Sequence, residues 1–309
     1  MEKLIKKTLL FSFFAGVFYV VVLSLWSWVM PSYMAKNVRN CIGCYGHLNT
    51  RVKEVSQFQN VDILVLGSSH AYRGFDPRVF KANGIELFNL GSSSQSPIQS
   101  NILLHQYLSQ LNPKLVVLEV YAGTLGIDGV ESSLDLAANN KIDQHYIRTL
   151  KDIRNLQTYN SAIYGLFREL FDLNKNFKEE LIQGEDTYVR GGYVETEFRK
   201  NPMQNEKLKN WIINETQLKY LKKNIDYLNS QNIPFILVQT PITEKLYNSK
   251  KNNEEIDSLL SSLGIYKNFQ NTLELNDSLD FYDSNHLNQK AVEVFNLEFI
   301  KYVNNLKIL

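Results

Sequence analysis

The chain has 309 residues, of which 44% are hydrophobic and 21% charged, enough apolar material for one large core and too much for a globally disordered chain. Lys and Arg number 33 against 32 Asp and Glu, and no basic cluster is long enough to displace phosphate counterions, which excludes an electrostatic nucleic-acid binder.

The first element is apolar. Lys3, Lys6 and Lys7 precede an uncharged run from Thr8 to Met30, with Trp26 and Trp28 at its far end. As a helix this run spans roughly 34 Å, sufficient to cross a bilayer core. The lysines and the interfacial tryptophans predict a single-pass anchor with residues 1–7 cytoplasmic, residues 8–30 in the membrane and the main domain extracytoplasmic. A cleaved signal peptide is the alternative, but no small-x-small site follows the run.

Residues 31–58 read as a membrane-proximal connector without clear periodicity. It contains Cys41 and Cys44, a pair that an oxidising compartment would close into a small loop. With only His47 nearby, the pair falls short of a zinc site, and its loop context does not suit a thioredoxin-like role.

The rest, 59–309, alternates strand and helix. Val61–Gly67 is a short apolar run suited to a strand buried on both faces, and Gly84–Gly91 predicts a second strand. A helix is predicted over Gln95–Leu111 and stopped by Pro113, and Lys114–Tyr121 reads as a third strand. Residues 122–205 are polar and irregular, with helix-like pieces around 145–180 and a Gly191-Gly192 loop. They are too long for a plain connection and predict an insertion over one end of the sheet. A helix near 206–230, a fourth strand over 233–239, a helix over 252–264, a short fifth strand near 270–275 and a last helix over 288–303 complete the pattern. Such alternation predicts a parallel sheet between helical layers, with the ligand site beyond the carboxyl ends of the strands.

Ser69, Gly91, Tyr121 and Thr240 fall just past those strand ends. Late in the chain stands Asp283-Ser-Asn-His286. A serine becomes nucleophilic when a His takes its proton and an acid orients that His, so Ser69, His286 and Asp283 are the candidate catalytic residues. The backbone N–H groups of Ser92-Ser93-Ser94 form a natural anion site. Each piece also has a bland reading: Gly-Ser-Ser is a common loop sequence, and Asp-Ser-Asn-His before a helix is a reasonable capping segment with Asn288 as N-cap. His70 is a second polar group in the pocket or simply a turn residue. His47, His105 and His145 show no partner pattern.

Val65-Leu-Gly-Ser-Ser-His70, Phe88-Asn-Leu-Gly91 and Phe281-Tyr-Asp-Ser-Asn-His-Leu-Asn288 together resemble the first, second and fifth blocks of the SGNH/GDSL hydrolase superfamily, over roughly residues 59–306. The resemblance implies a flavodoxin-like three-layer α/β/α fold. It puts Ser69 in the nucleophile's place, Ser68 in that of the Asp of Gly-Asp-Ser, Gly91 at the second-block oxyanion position, and Asp283 and His286 at the acid and base. Ser68 and His70, with Gly91, are then candidate substrate-binding residues. The family's third block is missing: its Gly-x-Asn-Asp, which supplies an oxyanion Asn, is replaced by Glu119-Val-Tyr-Ala-Gly-Thr124. Loss of one such donor costs on the order of 10²–10³ in rate.

Divergent envelope proteins of alginate acetylation and teichoic-acid D-alanylation share an N-terminal anchor and an SGNH-like domain. The similarity implies a serine esterase or O-acyltransferase of acylated envelope glycans, working within a polysaccharide modification system. A catalytically silent glycan-binding or accessory protein is the alternative. No cofactor and no metal is implied, because the chain has neither a dinucleotide nor a P-loop fingerprint and no convincing ligand set.

Overall fold

The structure is a computed structural model that describes residues 1–203 and 205–309. Helix α1 (Glu2–Val29) is long and apolar enough to cross a membrane. Its C-terminal third is not free. Leu23 packs with Val38 and Tyr164, and the Tyr19 hydroxyl donates to Asn160 Oδ1 at 2.6 Å.

Cys41 and Cys44 form a disulfide. The segment read as a connector then enters the domain: α2 (Leu48–Glu54) and a 3₁₀ turn (Val55–Gln57) bury Leu48, Arg51, Val55 and Phe58. Seven helical residues with a buried arginine leave no apolar stripe, so periodicity misses them.

The central sheet is parallel and five-stranded. Its first strands are β1 (Ile63–Leu66), β2 (Leu87–Asn89) and β3 (Leu115–Glu119). Between them run α3 (Ser69–Gly74), α4 (Pro77–Ala82) and α5 (Pro97–Leu111). The insertion over 122–205 is more regular than its composition suggests. It carries α6 (Ala122–Leu125), α7 (Val130–Asn139), α8 (Gln144–Ile153) and α9 (Leu156–Leu170). A separate antiparallel sheet follows, of β4 (Ile182–Gln183), β5 (Asp186–Val189) and β6 (Tyr193–Thr196).

Then come α10 (Glu215–Ser230), β7 (Phe235–Gln239), α11 (Glu244–Asn248), α12 (Asn253–Ser261), β8 (Tyr266–Asn268) and α13 (Gln289–Leu306). The fifth strand therefore lies before the 270–275 stretch where apolar Leu273 and Leu275 suggested it. Those leucines pack against the core from a loop instead.

The strand order, β2-β1-β3-β7-β8, is the flavodoxin-like one. Along β1 and β3 successive side chains alternate between two cores, as the period of two requires. Leu64, Leu66, Val116 and Leu118 face α5, α10 and α12, while Ile63, Val65, Leu115 and Val117 face α3, α4 and α13. Every residue of β1 and β3 is buried, so these strands read as continuous apolar runs rather than alternating ones. The three layers place the ends of β1, β3 and β7 together along one edge of the domain.

Candidate active site

β1 ends at Gly67, where the chain must pass close to Glu119 on β3. A Cβ on Gly67 would lie 2.5 Å from that of Glu119. Ser68 caps α3, its Oγ accepting from the His70 amide at 3.2 Å, which leaves Ser69 as the first helical residue.

Glu119 holds this turn from below. One carboxylate oxygen accepts from the Ser68 amide (3.0 Å) and hydroxyl (2.9 Å), and the other from the Tyr121 amide at 2.6 Å. Burial pushes the Glu119 carboxyl up to about 7, although the amide and hydroxyl of Ser68 and the amide of Tyr121 act in the opposite sense. Ser68 is thus engaged beneath the turn, while Ser69, half-buried, looks outward.

Asp283 and His286 share one turn ahead of α13. Asp283 Oδ1 accepts from the amides of Asn285 (2.9 Å) and His286 (2.8 Å), and Oδ2 lies 2.8 Å from His286 Nδ1. Asn288 anchors the turn, its side-chain amide donating to the carbonyls of Arg199 and Leu279. A carboxylate only accepts, so the proton of the neutral imidazole sits on Nδ1 and Nε2 is the acceptor. Nε2 lies 2.7 Å from Ser69 Oγ, 217 residues away in sequence. Burial by itself would raise Asp283, but the hydrogen bond and charge of His286, with the two amides, draw it down to about 2.

The imidazole is clamped on both faces. Tyr282 stacks at 5.4 Å and His70 at 4.9 Å, and His70 in turn packs on Tyr121 at 4.1 Å. Burial, and then the neighbouring His286, hold His70 well below the ordinary histidine value. Burial thus favours the neutral form of the His70 imidazole.

A cavity of about 550 Å³ opens over this group, lined by Ser69, Ser93, Ser94, Tyr121, Asn285 and His286 among others. Gly91 is placed differently from the oxyanion position the resemblance assigned to it. Its N–H is donated to Asn89 Oδ1 at 3.0 Å, and a Cβ there would meet Ala71 and the Tyr72 amide, so it serves the close passage of the β2–α5 turn past α3. Three residues on, Ser94 takes the left-handed conformation (φ 49) on the cavity wall. Among the described residues the amides of Ser69, Ser93 and Ser94 have no protein acceptor and remain open for an anion.

Sequence reasoning gave no role to Glu119, Asn285 or Arg73. Glu119 had a signal: a charged residue closing an otherwise apolar strand. Arg73 lines the cavity and grips Asp186 with two parallel hydrogen bonds of 2.8 and 2.7 Å, a pairing 113 residues apart that the sequence does not mark. His105 and His145 stack on each other at 4.5 Å and take no part in this cavity.

The molecule is thus a flavodoxin-like α/β domain carrying a hydrogen-bonded Ser–His–Asp constellation beyond its strand ends. No family model and no curated protein matches the sequence. Among solved structures, one from Bacteroides fragilis assigned as an acylhydrolase is 12% identical, covering 85% of this chain and 98% of its own, with TM-score 0.42. A lipolytic protein of the G-D-S-L family from Desulfitobacterium hafniense is 13% identical, with 81% and 100% coverage and TM-score 0.41. A GDSL-like lipase from Bacteroides thetaiotaomicron is 10% identical, with 84% and 98% coverage and TM-score 0.42.

Proposed function

We propose that this chain is a membrane-anchored SGNH-like serine esterase or O-acyltransferase that acts on acylated glycans of a cell envelope, with Ser69 as nucleophile, His286 as base and Asp283 as its orienting acid. The observation that carries the reading is the continuous relay of 2.7 and 2.8 Å from Ser69 Oγ through the imidazole to Asp283. In the reaction, His286 Nε2 takes the hydroxyl proton as Ser69 Oγ attacks the ester carbonyl. The alkoxide leaves with that proton, and the acyl-serine is then released to water or to a sugar hydroxyl, activated by the same base. The open amides of Ser69, Ser93 and Ser94 supply the oxyanion donors in place of the missing third-block Asn. The apolar helix and its lysine flank support an extracytoplasmic domain, and an envelope polysaccharide modification system would supply its partners.

Fluorophosphonate labelling of the full-length protein in detergent, with peptide mapping, tests the assignment. Labelling confined to Ser69 and abolished by Ser69→Ala and His286→Ala is expected. The second reading, a silent glycan-binding protein, is favoured by the missing third-block Asn, since β3 runs into Glu119-Val-Tyr-Ala-Gly-Thr124 instead. A folded protein that does not label would overturn the first reading, and glycan binding by that protein would support the second.

A further inference from the structure

Helix α9 is apolar on the side that the domain leaves uncovered. Inward it presents small residues: Thr158, Ala162 and Gly165 are buried, and a Cβ on Gly165 would lie 2.9 Å from the Ile142 side chain. Its two charged residues are tied to the domain as well, Arg168 donating to the Ala137 carbonyl at 2.7 Å and Glu169 accepting from the Ile142 amide at 2.6 Å. Outward stand Leu156, Tyr159, Ile163, Leu166 and Leu170. They are spaced alternately three and four residues apart, which makes them one stripe about 21 Å long. Leu156 is 68% exposed and Leu170 78%, with Leu166 and then Phe171 also open.

What lies against this stripe follows from α1. The Tyr19 hydroxyl and Leu23 of α1 meet Asn160 and Tyr164 on the adjoining face of α9, and Ile163 and Phe167 pack against the same contact. The stripe therefore runs beside the one helix that is long and apolar enough to cross a membrane among the described residues. On α1 the apolar surface continues past the contact, where Val20, Leu25, Trp28 and Val29 remain exposed. The uncovered faces of α1 and α9 thus join into one apolar surface, and acyl chains that cover the first reach the second. Exposed Arg154 and Lys175 bracket α9, one beyond each end. Side chains of that length reach headgroup phosphates from an apolar helix lying in the interface.

We infer that the outward face of α9 is a lipid-contact surface, through which the domain meets the bilayer by a second, non-spanning helix seated beside the anchor. This rests on the membrane anchor proposed above for α1 and adds an interfacial contact of the folded domain to it. Lipid takes from water a stripe that the domain itself does not cover.

The test is quenching by lipid of the full-length protein, reconstituted in vesicles of phosphatidylcholine and phosphatidylglycerol whose acyl chains carry a nitroxide. Cys41 and Cys44 are joined to each other, so a single introduced cysteine takes an environment-sensitive fluorophore. Labels go to Leu166→Cys and Leu170→Cys on α9, to Phe13→Cys on α1 and to Leu297→Cys on α13, an exposed leucine in the helical layer across the sheet. All four positions are exposed, so no label threatens the fold. The α9 labels should be quenched at least about threefold more than the α13 label, with the α1 label quenched as the reference for the anchor. Quenching at position 13 with none at 166 and 170 overturns the lipid contact and leaves the anchor. No quenching at any of the three removes the anchor reading and this inference with it. A bifunctional thiol reagent that joins two chains through Leu166→Cys, with the label there untouched by lipid, overturns the inference too and gives the stripe to a second copy of the chain. None of these readouts involves Ser69, so the catalytic proposal stands or falls separately.

Discussion

Glu119 shows how much one buried carboxyl carries. It accepts two hydrogen bonds from Ser68 in the turn that presents Ser69 and one from the Tyr121 amide, so Glu119→Gln puts an NH₂ donor against an N–H or O–H donor. An unmet buried group costs about 1–3 kcal/mol, and chemical denaturation should find a loss of that size together with slower Ser69 labelling. The pH dependence follows from its pKa of about 7, which is raised above the unfolded carboxyl value of 4.5. Between these values the folded protein holds the extra proton, so this group's contribution to stability falls as pH rises through the window. The stability of wild type relative to Glu119→Gln should decline from pH 5 to pH 8; a difference that stays flat would falsify the assignment. Asp283 behaves in the opposite sense. Its folded pKa of about 2 lies below the unfolded value of 3.8, so its contribution is complete above that value and lost as pH falls through 2. Denaturation curves of wild type and Asp283→Asn should therefore converge in acid. At neutral pH the same variant should label Ser69 slower by on the order of 10³–10⁴, because Asn does not fix the Nδ1–H tautomer.

At the scale of elements, the β4–β6 sheet braces the short helix that presents Ser69. Arg73 on α3 grips Asp186 on β5 and also bonds Thr196 on β6. The Gly191-Gly192 turn lies on β2, with the Asn89 amide donating to the Gly191 carbonyl and the Arg51 Nε–H to that of Gly192. Both glycines have left-handed φ (95 and 92), and a Cβ on Gly192 would fall 2.0 Å from the Asn89 carbonyl oxygen. Gly192→Ala should thus lift the turn, at about 1–3 kcal/mol of backbone strain or more, and expose residues 180–196 to limited proteolysis before the rest unfolds. Four of the five parallel strands and the turns carrying Ser69 and the Asp283–His286 pair were legible in the sequence because their signals are local: β1 is one apolar run, and Asp283 and His286 stand three residues apart. The antiparallel sheet was not legible. Its strands are two to four residues long, half-exposed, and fixed by contacts to α3 and β2 about a hundred residues away. β8 was misplaced for a related reason, since its Tyr-Lys-Asn is no apolar run and is defined only by its pairing with β7.

For the molecule as a whole, the last helix closes one of the two cores. Phe295 and Phe299 of α13 meet Phe75 and Phe269 edge-on and tilted, all fully buried. Phe299→Ala should cost about 3–5 kcal/mol in a urea melt. Because α13 follows directly from Asn288 and His286, the same variant should loosen the Asp283–His286 turn and slow Ser69 labelling before global unfolding. The sequence spacing of 217 residues between Ser69 and His286 gave no hint of this coupling; it arises because α3 and α13 share a single hydrophobic layer. The docking of α1 on α9 has a different kind of result. Of the uncharged run only Thr8–Phe18, about 16 Å of helix, precedes the Tyr19–Asn160 contact, roughly half the thickness of a bilayer's hydrocarbon core. With the anchor in a membrane as proposed, the domain is not a bead on a slack tether. It stands at one height with one side always facing the lipid, so Ser69 sweeps a plane rather than a volume. A polymer would be processed only where it passes at that level, and bilayer thickness, by tilting α1, would raise or lower the plane.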